Sequence, residues 1–334
     1  MQRLLNKPED YVNEMIQGVL AANPDKVTIV GDDLRCYITA KKKAGKVGIA
    51  TGGGSGHLPL FMGYVGEGVL DGCSIGGVFQ SPSADQMYQV TKAIDSGAGV
   101  LYIYGNYGGD IMNFDMAQEM AEFDDIKVMQ VVAGEDVVSA PKGMENKRRG
   151  VAGIFFVFKC AGGAADAMLS LEEVARIAQK AADNARTMGV ALTPCIIPEN
   201  GKANFSIEPG HMEMGMGIHG EPGIEKGPIK PVDTVVQEML DRILTDLPYE
   251  SGDEVAVLVN GLGATPLEEQ YIAYRKAHEI LTGKGIRVFK AYIGEYATSM
   301  DMAGLSISLL KLDDELKQYL AMPCRTPFVS QEQL

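Results

Sequence analysis

Forty glycines in 334 residues constrain the fold of this chain more than any other feature. A glycine inside a helix costs about 1 kcal/mol relative to alanine, so forty are too many for a helical bundle. They fit an α/β protein with many tight turns between strands and helices. Hydrophobic residues make up 46% and charged residues 22%, ample material for a core. The length suits two domains of ordinary size or one large α/β domain.

Short apolar runs alternate with helical stretches along the first half. The recurrence of Tyr11, Val12, Met15, Ile16, Val19 and Leu20 predicts an opening helix. V-G-I-A-T (47–51) reads as a buried strand that ends in a triple glycine. G-G-V-F (76–79), G-V-L-Y-I-Y-G-N-Y (99–107) and K-V-M-Q-V-V (127–132) read as further strands, with a helix over 114–123. G-I-F-F-V-F-K (153–159) leans to helix. Ser170 with Glu173 forms a capping box that opens a helix expected to run from Leu171 to Met188 and to stop at Gly189. The alternation implies a mostly parallel sheet with helices on both faces.

From about Ala191 the texture changes. T-P-C-I-I-P (193–198) reads as a strand, and residues 199–230 as a long functional loop or short strands. Then come a helix over 232–244, a strand over 254–260, a helix over 267–282, and strands over 286–294 and 304–312. The expected division is an N-terminal α/β domain over residues 1–190 and a C-terminal α/β domain over 191–334, with the break near 185–195.

The charge is −14. That argues against nucleic acid and against anionic membrane, both of which need a basic surface. The five cysteines show no C-x-x-C pair and no His/Cys cluster, which reads as thiols in a reducing compartment. The N-terminus has no apolar run behind its charge, and no stretch reaches the length of a membrane span. A cytoplasmic protein without a bound metal is the expectation.

Histidine is scarce, with four copies. His57 closes T-G-G-G-S-G-H (51–57) and His219 sits in G-I-H-G-E-P-G (217–223). His211 and His278 lack such a frame. Glycine on either side leaves an imidazole little steric cover, so both framed histidines are expected to be open to a ligand and suited to act as base, acid or nucleophile. The plainer reading of 52–57 is a tight turn; a turn alone has no use for His57. No G-K-[ST] follows, so it is not a P-loop, and His57 stands where a dinucleotide fingerprint needs glycine. A third loop, G-N-Y-G-G-D (105–110), offers Asp110, which reads equally as a base and as a helix cap. Met212, Met214 and Met216 read as packing.

On these residues the chain resembles the dihydroxyacetone kinase family, in its substrate-binding K subunit. The resemblance runs almost the full length. It rests on G-G-G-S-G-H, N-Y-x-G-D-x-x-N-F (106–114), G-x-G-I-H-G-E-P-G (215–223), N-x-L-G-A-T-P (260–266) and T-S-x-D-M-A-G-x-S-I-S-L-L (298–310). It implies two α/β domains, a homodimer, and capture of a short ketose by attack of His219 on the carbonyl carbon to give a hemiaminal. His57 and Asp110 would contact substrate hydroxyls and serve as acid and base. Gly53, Gly54, Ser55 and Gly56 would line the pocket with main-chain groups. The phosphate donor, ATP or ADP with Mg, would sit on a separate L-type subunit, charged in some systems by a phosphoryl carrier of the sugar phosphotransferase pathway.

Two positions depart from the family pattern. Many members carry Lys before the Asn-Tyr of the second loop, where this chain has Gly105. Many carry Glu after the first-loop histidine, where this chain has Leu58. Loss of a long cation enlarges the pocket, so a four-carbon ketose such as erythrulose competes with dihydroxyacetone as the substrate. The alternative is a ketose sensor, a co-activator of a transcription regulator. Retention of His57 and Asp110 beside His219 favours the enzyme, since sensing needs capture but not base catalysis.

Overall fold

The computed structural model describes residues 3–334. In chain order the elements are α1 (Tyr11–Ala22), β1 (Val27–Val30), β2 (Asp33–Thr39), β3 (Gly48–Ser55), β4 (Gly72–Val78), α2 (Ala84–Ile94), β5 (Val100–Gly105), α3 (Gly108–Phe123), β6 (Val128–Ala133), α4 (Ile154–Asp166) and α5 (Leu171–Asn184). There follow β7 (Ala185–Ala191), β8 (His211–Met214), β9 (Glu225–Pro228), α6 (Val232–Asp246), β10 (Glu254–Gly261), α7 (Leu267–Gly283), β11 (Arg287–Gly294), β12 (Gly304–Leu312), α8 (Asp314–Ala321), and a short pair β13 (Cys324–Arg325) and β14 (Ser330–Gln331).

The chain forms two compact units, each drawn from more than one stretch. The first takes residues up to Ala133, Phe155–Ala181 and Glu315–Leu334; the second takes Gly134–Ile154 and Ala182–Asp314. The sequence suggested a single break near 185–195. Composition marks a change of texture, but it does not show that a late helix such as α8 packs with the first unit.

In the first unit a six-stranded sheet runs in the order β1-β2-β4-β3-β5-β6. β4, β3, β5 and β6 pair parallel with one another. β2 pairs antiparallel with both β1 and β4. The mostly parallel core expected from the alternation is therefore present. β5 is buried along its whole length, as a strand covered on both faces must be. α2 begins at a complete capping box: Gln86 N–H donates to Ser83 Oγ at 3.2 Å and Ser83 N–H to Gln86 Oε1 at 3.2 Å. Its Met87, Val90 and Ile94 pack with Tyr102, Tyr104 and Phe114 in one core cluster.

The second unit carries a sheet in the order β11-β10-β12-β7-β8-β9. Only β10 and β11 are parallel; the other pairs are antiparallel. α6 and α7 cover it, with Val236, Met239, Leu240, Ala273 and Leu281 packed on Val257, Ile307 and Leu309.

Three expectations change. The helix from Leu171 ends at Asn184, not Met188, because Ala185–Ala191 is β7, paired residue by residue with β12 from Ala185↔Leu310 to Ala191↔Gly304. Tertiary pairing overrides helical propensity there. The strand over 47–51 continues through the triple glycine to Ser55. T-P-C-I-I-P forms no strand, only an isolated bridge of Ile196 with Ala203. The five cysteines are buried thiols, and no helix among the described residues is long and apolar enough to cross a membrane.

Candidate active site

In the first unit, His57 and Asp110 follow the carboxyl ends of two neighbouring parallel strands, β3 and β5. That is the end of an open α/β sheet at which ligands bind. His57 is not open to solvent, contrary to the expectation from its glycines: it is 1% exposed. Phe79 stacks on its ring at 4.8 Å and Phe61 meets it edge-on at 6.3 Å. Both phenylalanines hold left-handed backbone, φ 68° at Phe61 and 56° at Phe79. Bulky side chains rarely adopt that region, and such strain collects at functional sites.

The glycines of this segment make room for those residues. A Cβ on Gly53 would overlap the Phe61 ring, and one on Gly54 would press on the Phe79 and Gln80 backbone. Ser55 Oγ donates to the Gly76 carbonyl at 2.8 Å, and its own carbonyl accepts from Phe79 N–H. The cavity lined by Gly53, Gly54, Ser55, Gly56, His57 and Phe61 holds about 20 Å³. That is space for a single water.

Asp110 is the third residue of α3 and is 5% exposed. It is not the helix cap: Tyr107 occupies that position, without a side-chain capping bond. A carboxylate in the first turn is favoured by the helix dipole. α3 began earlier than its apolar periodicity suggested because Gly108 and Gly109 hide the first turn. Burial raises the Tyr104 hydroxyl above its usual range, and the nearby Asp115 and Asp110 carboxylates add to it. Gly105 is buried at the end of β5, paired with Ala133.

His219 belongs to the second unit, in the turn between β8 and β9. Its Nδ1 lies 3.0 Å from Glu221 Oε1, and its backbone N–H donates to Glu221 Oε2 at 3.0 Å. One carboxylate thus grips both the ring and the main chain of the histidine. Burial works against the charge on Glu221, but the hydrogen bond and charge of His219, with Arg149 beyond, outweigh it and hold the carboxyl at about 2. A carboxylate can only accept, so Nδ1 carries a proton toward it. The His219 carbonyl accepts from Asn204 Nδ2 at 3.1 Å. Gly220 holds φ 85°, and a Cβ there would meet that Asn204 amide.

The structure therefore places His57 and Asp110 at adjacent strand ends and His219 on a braced turn. Sequence reading missed Phe61, Phe79, Asn204 and Glu221. Glu221 was within reach, since it stands two residues after His219 in the same motif. The others carry no signal in spacing. His211 sits on β8 with Nδ1 3.3 Å from the Pro209 carbonyl, and Met212, Met214 and Met216 are buried packing. A cavity of about 560 Å³ in the second unit, lined by Val137, Val138, Met214, Ile224 and Arg242 among others, contains none of the expected site residues.

The comparisons with known proteins agree with this mixed α/β architecture. Residues 17–328 match the family described as Dak1 domain, and the chain belongs to that family. It is 47% identical over 329 residues to the PTS-dependent dihydroxyacetone kinase 2, dihydroxyacetone-binding subunit DhaK, of Listeria innocua serovar 6a, covering 98% of this chain and 99% of that one. It is 40% identical to the D-erythrulose kinase of Mycolicibacterium smegmatis, covering 98% of this chain and 56% of that protein. Among solved structures, the dihydroxyacetone kinase of C. freundii superposes with a TM-score of 0.91 at 32% identity, over 100% of this chain and 61% of that one.

Proposed function

We propose that this chain is the ketose-binding subunit of a dihydroxyacetone-type kinase and that His219 captures the ketose covalently. The observation that carries the reading is the Glu221 clamp, which turns Nδ1 to the carboxylate and makes Nε2 the nucleophile of the proposed capture. Nε2 bonds to the carbonyl carbon, the π pair moves to the oxygen, and the Nδ1 proton, relayed past Glu221 through solvent, ends on that oxygen, so the hemiaminal is neutral and no net proton is taken up. Capture holds a small, flexible molecule that offers few contacts, and it rejects polyols without a carbonyl.

Asp110, with His57, then takes the proton of the terminal hydroxyl as that oxygen attacks the incoming phosphoryl group. Main-chain groups of Gly53–Gly56 line the substrate side. The phosphoryl donor is a nucleotide with Mg on a partner L-type subunit, recharged by ATP or by a phosphotransferase carrier, and the working K subunit is a homodimer in the cytoplasm. Support comes from membership of a family whose relatives include a dihydroxyacetone-binding kinase subunit and an erythrulose kinase.

The test is NMR of the chain with dihydroxyacetone labelled with ¹³C at the carbonyl. The label should leave the carbonyl region in the wild type and stay there in His219→Ala. A carbonyl signal unchanged in the wild type would refute capture. Addition of an L-type subunit should then yield the ketose phosphate. Capture without phosphorylation by any L-type subunit would favour the sensor reading.

A further inference from the structure

The brace on His219 extends beyond Glu221. Arg149 Nη1 lies 4.0 Å from Glu221 Oε2, within ion-pair range. Arg149 Nη2 donates to the Gly215 carbonyl at 3.0 Å, at the start of the histidine turn and 66 residues away in sequence. Asp136 Oδ2 holds the same guanidinium through Nη2 at 2.8 Å and Nε at 3.0 Å. The Arg149 main chain is fixed as well: its carbonyl accepts from Asp136 N–H, and its N–H donates to Ser139 Oγ at 3.0 Å.

Asp136 is buried. A buried charge without a partner is costly, so the pair is retained in spite of a desolvation penalty. Gly217 adds an independent observation. A Cβ there would overlap both Glu221 Oε2 and Arg149 Nη1. The turn therefore leaves a gap that only the absence of a side chain keeps open, and two charged groups fill it.

We infer that Arg149, anchored by Asp136, is a positioning residue for the His219 nucleophile. It acts through Glu221, with Asp136 and the Gly215 carbonyl holding the guanidinium, and fixes the carboxylate so that Nδ1 keeps its proton and Nε2 stays the attacking atom. The fork of an arginine bridges three acceptors at fixed angles, which a lysine cannot reproduce. The inference deepens the proposed function and rests on it for the role of Nε2.

The test uses the full chain labelled with ¹⁵N-histidine, without ketose. The His219 signals, assigned by their loss in His219→Ala, should show the Nδ1–H tautomer in the wild type and a mixture of tautomers in Arg149→Met. Ketose capture should slow by roughly 10- to 100-fold in Arg149→Met, the scale for removing a group that orients a ligating histidine, with partial recovery in Arg149→Lys. In a Glu221→Gln background the Arg149→Met change should add little, because both act on one contact. Should Arg149→Met not fold, Asp136→Asn and Arg149→Lys give the same readout. An unchanged tautomer and capture rate in a folded variant, or an equal effect with and without Glu221, overturns the inference. A wild type that shows the tautomer and its loss in Arg149→Met, yet captures no ketose, overturns the proposed function instead.

Discussion

Phe114 stacks on Tyr104 with ring centroids 4.2 Å apart and planes within 7°. Asp110 lies one turn earlier on the same helix, so the stack sets where α3 begins over the end of β5 and thereby sets the carboxylate. If Asp110 is the base, Asp110→Asn keeps ketose capture and lowers turnover by about two to four orders of magnitude. Steady-state kinetics with an L-type subunit, beside the ¹³C capture signal, checks this. Full turnover would move the base role to His57 or to the partner subunit.

Gly217→Ala alters no charged or catalytic group. Its methyl group would claim the space held by the ends of the Glu221 and Arg149 side chains. Capture should fall by roughly tenfold or more with a melting temperature changed by only a few degrees. An unaltered capture rate would show that the carboxylate can shift without consequence for the histidine.

Position 105 tests the substrate. If Gly105 widens the pocket, erythrulose competes with dihydroxyacetone at comparable or lower concentration. Gly105→Lys then penalises the four-carbon sugar selectively. The measurement is kcat/KM for both ketoses in wild type and variant with the same L-type subunit. Unchanged discrimination would mean that residue 105 does not face the substrate.

Glu135 gives a pH dependence of stability. Burial raises its carboxyl from 4.5 to about 7, against hydrogen bonds from the Val151 and Ile154 backbone. Between those values the folded chain binds more protons than the unfolded one, so stability falls as pH rises, by about 1.4 kcal/mol per unit from this group. Asp136, raised by burial to about 6, acts in the same direction at lower pH. Urea denaturation at pH 5, 6 and 7 should show a decline that Glu135→Gln flattens. Parallel curves for the two proteins would contradict it.

The sequence by itself determined the α/β class, most strands and helices and the motif strings that mark the family, and it singled out His57, Asp110 and His219 as candidates. These are local signals. Apolar periodicity records which face of an element is buried, and a motif keeps its residues a fixed distance apart along the chain. Tertiary structure decided the rest. Whether 185–191 is helix or strand depended on β12 lying beside it, and whether His57 is open depended on two rings whose strained backbone no spacing reveals. Arg149 and Asp136 reach the histidine turn only through long-range contact, Arg149 meeting Gly215 66 residues away. Burial and long-range contact depend on what packs against a residue, and that information is spread over distant stretches of the chain.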